Sequence, residues 1–234
     1  SVYEVATTSR GNSDVSRQRI IDKNFTVPTA RKAIKLYDEF DRFMAGKITI
    51  DRLVEKANTA MSAHVGELIA TAINGSYSSL TTNYKANGAF DADTLVTLIA
   101  HVKAANNVSE VEIWGTDISL SNVDDATAAG YSDASKDTFN NLGYFGVFRG
   151  TNMYEMPQAY SAGEGQTFAT ANDFLVIVPA GQKIVKVIFE GDAKVDLTTA
   201  GRNDEQMEFS VARRVGVAAL TADEGRYGIY DFGA

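Results

Sequence analysis

Between Thr49 and Gly75 the apolar residues Ile50, Leu53, Val54, Ala57, Met61, Val65, Leu68, Ile69, Ala72 and Ile73 recur at spacings of three and four. Asp51, Arg52, Glu55, Lys56, Asn58 and Glu67 point elsewhere, which is the signature of an amphipathic helix. The pattern predicts one helix over about residues 50–73, roughly 35 Å long. Thr49 is placed to cap it, Asp51 suits the positive end of its dipole, and Asn74-Gly75 gives the exit. His64 lies beside the stripe, where a bond to a neighbouring side chain explains it better than a metal or catalytic role. His101 is the other histidine, and with no cysteine in the chain the usual zinc vocabulary is missing.

Around this helix the sequence predicts a mixture of elements. A second helix over about residues 92–105, capped by Asp91 or Asp93, turns Leu95, Leu98, Ile99 and Val102 inward, and Asn106-Asn107 ends it. "VSEVEIWG" then alternates, with Val111 and Ile113 on one face and Glu110, Glu112 and Trp114 on the other. Asp117, Asp124, Asp125, Asp133 and Asp137 mark a polar loop with a short helix, without the spacing of a calcium loop. From Gly143 onward the chain reads as strands. "FLVIV" is apolar on both faces and belongs inside a covered sheet, "PAGQ" is a turn, and "KIVKVIFEGD" is expected as the partner strand, ending near Gly191. "MEFSVARRVGVAAL" alternates as well, which places Arg213 among apolar residues. An arginine there needs a carboxylate or a neighbouring subunit. The N-terminal "SVYEVATTSRGNSDVSRQRIIDKNFTVP" is polar with scattered alternation, and reads as an extended hairpin or arm that gains its order from a partner. "ARKAIKLYDEF" then passes from alternation to helical spacing before Gly46.

Composition limits the functions open to such a chain. Its 234 residues carry 22 lysines and arginines against 30 aspartates and glutamates, a formal charge of −8, so a tight electrostatic grip on phosphates is not the default. Without cysteine there are no disulfides and no thiolate nucleophile. No apolar run of about 18 residues predicts a membrane span, and the N-terminus lacks the pattern of a signal peptide. "GEGQTF" at 163–168 lacks the third glycine of a dinucleotide loop, and no Walker lysine, Gly-x-Ser-x-Gly elbow or His-Glu-x-x-His is found. Glu190 and Asp192 are a conceivable acid/base pair, but acids two apart at a strand end are ordinarily solvated. No catalytic, cofactor-binding or metal-ligating residue is predicted.

The order of the segments "FTVPTARKAIKLYDEFDRFMAGKITIDRLVEKANTAM", "VSEVEIWGT", "FRGTNMYEMPQAY", "NDFLVIVPAGQKIVKVIFEGD", "MEFSVARRVGVAAL" and "YGIYDFG" resembles that of tailed-bacteriophage major capsid proteins. The resemblance implies an α+β chain with the HK97 fold: extended loop, long spine helix, peripheral-domain sheet and axial domain. Carried over segment by segment, residues 1–37 would form the extended-loop hairpin, with the family's N-terminal arm missing. Residues 38–88 and 172–220 would form the peripheral domain, including a spine helix at 49–74. Residues 89–171 and 221–234 would form the axial domain.

In function, the resemblance implies a structural subunit and not an enzyme. It would self-assemble as a homo-oligomer into hexamers and pentamers of an icosahedral shell around double-stranded phage DNA, held without sequence-specific binding. It would be built in the bacterial host cytoplasm and end in the virion capsid. Portal, scaffold, maturation protease and decoration proteins are further partners of the family, and no membrane or cofactor is implied. Arg10, Arg17, Arg19, Lys23, Arg31, Glu190, Asp192, Arg213 and Arg214 are the expected inter-subunit contacts, the cations of the N-terminal part, Lys32 among them, pairing with carboxylates on adjacent subunits. Some relatives join neighbours through a lysine–asparagine isopeptide bond. Lys23 is the only lysine of the loop-tip region, and no cross-link is expected. An encapsulin-type nanocompartment shell is the alternative reading, and a carboxylate-based hydrolase a more distant one.

Overall fold

The computed structural model describes residues 26–47, 49–123, 141–144, 146–158, 160, 167–198, 206–220 and 226–233. Its longest element is the helix expected from the apolar stripe, α2 (Ile50–Gly75), 26 residues long and preceded by a strand β1 (Ala30–Glu39) and a short helix α1 (Phe40–Met44). Thr49 is extended, and its side chain accepts the Arg52 amide at 3.4 Å. His64 Nδ1 lies 2.9 Å from Glu67 Oε2, the local pairing that its flank position predicts. The two halves of α2 serve different cores. Leu53 and Ala57 are buried with Phe209, while Ile73 is buried with Phe174, Val176, Val178, Ile184, Tyr227 and Ile229.

The first core belongs to a three-stranded antiparallel sheet in the order β1-β8-β7, where β7 is Val185–Thr198 and β8 is Gln206–Ala219. Alternation does the sorting. Ile34, Leu36, Phe209 and Val211 meet α2, and the residues between them face the other way.

The second sheet has six strands in the order β2-β9-β6-β3-β5-β4, with β2 at Lys85–Asn87, β3 at Val111–Gly115, β4 at Val147–Phe148, β5 at Thr151–Glu155, β6 at Phe174–Pro179 and β9 at Gly228–Asp231. The helix α3 (Ala92–Asn106) packs on it, with Leu95, Leu98 and Val102 among Ile113, Leu175, Ile177 and Tyr230. Asp91 caps α3 by accepting the Thr94 amide at 2.9 Å, and its hydrogen bonds with Thr94 hold its carboxyl below the ordinary value. Asn107 ends the helix in the left-handed conformation, φ 51°. Tyr227 donates its hydroxyl to Ser76 just past α2, and burial pushes its pKa up. Of the acidic residues of 116–143, Asp117 sits in α4 (Asp117–Ser121) and the others lie outside the described residues.

Two expectations are corrected here. "FLVIV" and "KIVKVIFEGD" are not partners: β6 pairs with β3 and β9, whereas β7 pairs with β8. The turn between them is real, with Gln182 donating to the Pro179 carbonyl at 3.1 Å and Gly181 at φ 76°. A turn does not dictate pairing, however. All six residues of β6 are buried, so β6 needs a neighbour on each edge and cover on each face. The alternating β7 suits a sheet covered on one side. Nor does β7 end at Gly191. It continues to Thr198 through a bulge, in which residues 191–193 stand opposite Arg213 alone.

Among the described residues no helix is long and apolar enough to cross a membrane. Phe209→Ala removes the largest buried side chain between α2 and its sheet, and is expected to cost about 3–5 kcal/mol, read as a lower urea midpoint of the dissociated subunit.

Candidate assembly surface

Of the predicted contact residues, Arg10, Arg17, Arg19 and Lys23 lie outside the described residues. The other five converge, although β1 lies far from β7 and β8 in sequence. Arg31, Arg214 and Glu190 stand side by side across β1, β8 and β7, on the face opposite α2. The bulge at Gly191 brings Asp192 to the same place, and together with Lys194 and Arg213 these residues line an open cleft of about 470 Å³. A second cleft adjoins it, sharing Arg31 and Ala212 and reaching Lys35, Asp196 and Glu208. Lys35 and Glu208 form an ion pair there.

Gly191 takes φ +70°, the left-handed conformation that glycine adopts without strain. The bulge inserts two extra residues, an even number, so the side-chain alternation is in phase on both sides of it. A single insertion would have turned Val195 and Leu197 onto the charged face. They instead lie beside Val211 and Phe209 on the α2 side, yet stay exposed: Val195 is 61% and Leu197 39% exposed, and Phe189 is 45% exposed. Among the described residues no strand pairs with the outer edge of β7.

Glu190 is held from two directions, by the Thr29 hydroxyl, which donates to Oε2, and by Arg214 Nη1 at 3.7 Å. Its carboxylate therefore serves the connection between strands and is not aimed at a second acid. Arg213 is the arginine that the sequence set among apolar residues. Its guanidinium lies over the Phe189 ring at 4.1 Å, and its Nε is buried without a hydrogen-bond partner. The ring supplies a cation–π contact where a carboxylate was expected.

Three residues that matter here were not singled out in the sequence. Val27, Pro28 and Thr29 cross over β8 at Gly216, so closely that a Cβ on Gly216 would sit 2.6 Å from the Pro28 carbonyl oxygen. Val27 is buried, and Thr29 is tied to Glu190. The chain preceding β1 is thus led over the sheet at a fixed point. The available signal was a glycine inside an alternating strand, which commonly marks close backbone approach. Among the described residues, no cluster of three or more histidines or carboxylates could hold a metal ion.

Several solved shell proteins have chains with this architecture. The chain is similar to a subunit of the capsid of a native GTA particle, with a TM-score of 0.61 at 13% identity over 98% of this chain and 80% of that one. It is similar to a chain of the satellite phage P4 procapsid, with a TM-score of 0.60 at 7% identity over 100% and 80% of the two chains. A third likeness, to the SrpI encapsulin of Synechococcus elongatus PCC 7942, has a TM-score of 0.53 at 10% identity over 88% and 74%. At these identities the likeness is one of fold, and it defines the class: an α+β chain with the HK97-type fold. Curated protein sequences give no match. Residues 4–230 match the family described as SPbeta prophage-derived putative capsid protein YonB, and the chain belongs to that family. It is a phage-type capsid structural protein and not an enzyme.

Gly216→Val is expected to lower the thermal midpoint of the subunit, with a cost of about 1–3 kcal/mol from overpacking, and to expose residues 26–30 to limited proteolysis. Thr29→Ala, which removes one exposed hydrogen bond, should have a smaller effect, about 1 kcal/mol or less.

Proposed function

We propose that this chain is the major subunit of an icosahedral shell, assembled as hexamers and pentamers around double-stranded DNA in the bacterial host cytoplasm and retained in the virion. The observation that carries this reading is the half-covered β1-β8-β7 sheet, in a chain whose family is of capsid proteins. Its core with α2 centres on Leu53, Ala57 and Phe209, and it leaves apolar side chains of β7 in solvent. Burial against neighbours would complete that core and make stability depend on assembly.

The division into parts would follow the sheets. The three-stranded sheet and α2 would form the peripheral part. The six-stranded sheet with α3 would form the axial part, and β6 would then join the axial part although the residues after it are peripheral. Residues 1–37 would include the extended loop, led out over Gly216. Arg10, Arg17, Arg19, Lys23, Arg31, Glu190, Asp192, Arg213 and Arg214 would contact neighbouring subunits. The formal charge of −8 suits a lining that holds packaged DNA loosely and without sequence preference.

Similarity to an encapsulin supports a second reading, a shell around protein cargo. Electron microscopy of the purified full chain, with nuclease protection of the contents, tests both. Closed icosahedral particles are expected, with nuclease-protected DNA in particles recovered from induced cells. Particles filled with protein would support the nanocompartment, and a chain that stays monomeric at high concentration would refute the shell.

A further inference from the structure

Arg31 and Arg214 are direct cross-strand partners on the face opposite α2, and Lys32 and Arg213 are direct partners on the other face. Like charges so placed destabilise an antiparallel pair. Two other cations in and beside this sheet have local carboxylates: Lys35 has Glu208, and Arg42 has Asp38 at 3.2 Å. Around the cleft the balance is different. Arg31, Lys194, Arg213 and Arg214 line it with two carboxylates, Glu190 and Asp192, of which Glu190 is shared between Arg214 and Thr29. Among the described residues no ion pair reaches Arg31, Lys32, Lys194 or Arg213. A local excess of positive charge is thus held in place by backbone pairing, within a chain whose total charge is −8.

We infer that the cleft at the β7 bulge receives a carboxylate-bearing segment of a second copy of this chain. The inference rests on the shell reading and adds to it the chemistry of one contact. Charge complementarity favours a second copy, because the rest of each copy is richer in acid than the chain average. The floor at Ala212 is small, so a side-chain carboxylate can approach Arg31 and Arg214 between the strands. A duplex fits less well. Its backbone carries a charge about every 1.7 Å and would have to lie along Glu190 and Asp192 on the same rim. The incoming carboxylate would neutralise the opposed arginines, so the repulsion stored in the lone subunit is relieved on assembly.

The test uses the full chain and the variants Arg31→Gln and Arg31→Glu, with shell formation followed by light scattering and microscopy from about 0.05 to 1 M salt, a range in which the screening length falls to about 3 Å. For Arg31→Gln the dissociated subunit should melt at the wild-type temperature or above, since repulsion from Arg214 is removed. Its critical concentration for assembly at low salt should rise several-fold, for Arg31→Glu at least tenfold, and the gap from wild type should close in high salt. A residue needed only for folding would lower both stability and assembly, which would overturn the inference. So would variants that assemble like wild type at every salt concentration. Normal assembly with lost retention of nuclease-protected DNA would assign the cleft to nucleic acid and also overturn it. Absence of wild-type particles would overturn the inference and the shell reading together.

Discussion

A helix about 10 Å across cannot cover a sheet three strands wide, whose strands are spaced about 4.8 Å apart. In this subunit α2 lies over β8 and the inner side of β1, where Phe209, Ile34 and Leu36 meet Leu53 and Ala57. On β7, Phe189, Val195 and Leu197 are left exposed on the side that alternation assigns to the core. The far half of α2 has no such shortage, because it packs among Phe174, Val176, Ile184 and Tyr227, beside the six-stranded sheet. One helix therefore joins two cores, and on the three-stranded sheet it leaves the apolar side chains of β7 exposed. In the proposed shell, neighbours would supply the missing surface.

The bulge in β7 shows how little backbone freedom is needed to combine these roles. With two extra residues around Gly191 the strand keeps its apolar side chains in phase with β8. It also makes room for Asp192, Arg213 and the cleft beside Arg31. An edge fourteen residues long, with which no described strand pairs, would otherwise be a template for another strand. The bulge interrupts that edge, so the apolar side chains and the charges on either face decide which partner can settle there.

Local features were the ones that could be read from the sequence. Thr49 and Asp91 cap the helices they were expected to cap, Asn107 ends α3, and the alternation of Val111 and Ile113 correctly marks β3. These depend on neighbours within a few residues. Pairing between strands does not, and there the reading failed: β6 and β7 are adjacent in sequence, joined by a good turn, and placed in different sheets. The burial of β6 on both faces was visible as an unbroken apolar run, but its neighbours β3 and β9 lie more than forty residues away in either direction. Gly191 misled because a glycine before an acid can end a strand or bulge it, and the register of the partner decides which. The gathering of Arg31, Glu190, Asp192, Arg213 and Arg214 at one cleft was not expected: they were read only as contacts with neighbours, and nothing in their spacing shows that β1 and β7 flank β8.

Retaining opposed cations at that cleft has a thermodynamic sense in a shell. A subunit with every charge paired and every apolar residue covered would gain little from a neighbour, and assembly would rest on contacts made elsewhere. Arg213 illustrates the intermediate condition. Its guanidinium rests on Phe189, itself nearly half exposed, and its Nε is sealed from water without a partner. A neighbour that covers Phe189 would dry the stacked pair and strengthen the cation–π contact. A neighbour that adds a carboxylate would pair the charge that drying exposes to cost. Either contact alone is incomplete, since covering without a counter-charge buries an uncompensated cation, and a counter-charge without cover leaves the apolar edge wet. In the proposed shell the two requirements together would select a partner with an apolar surface beside an acid, which would make the contact specific as well as stable.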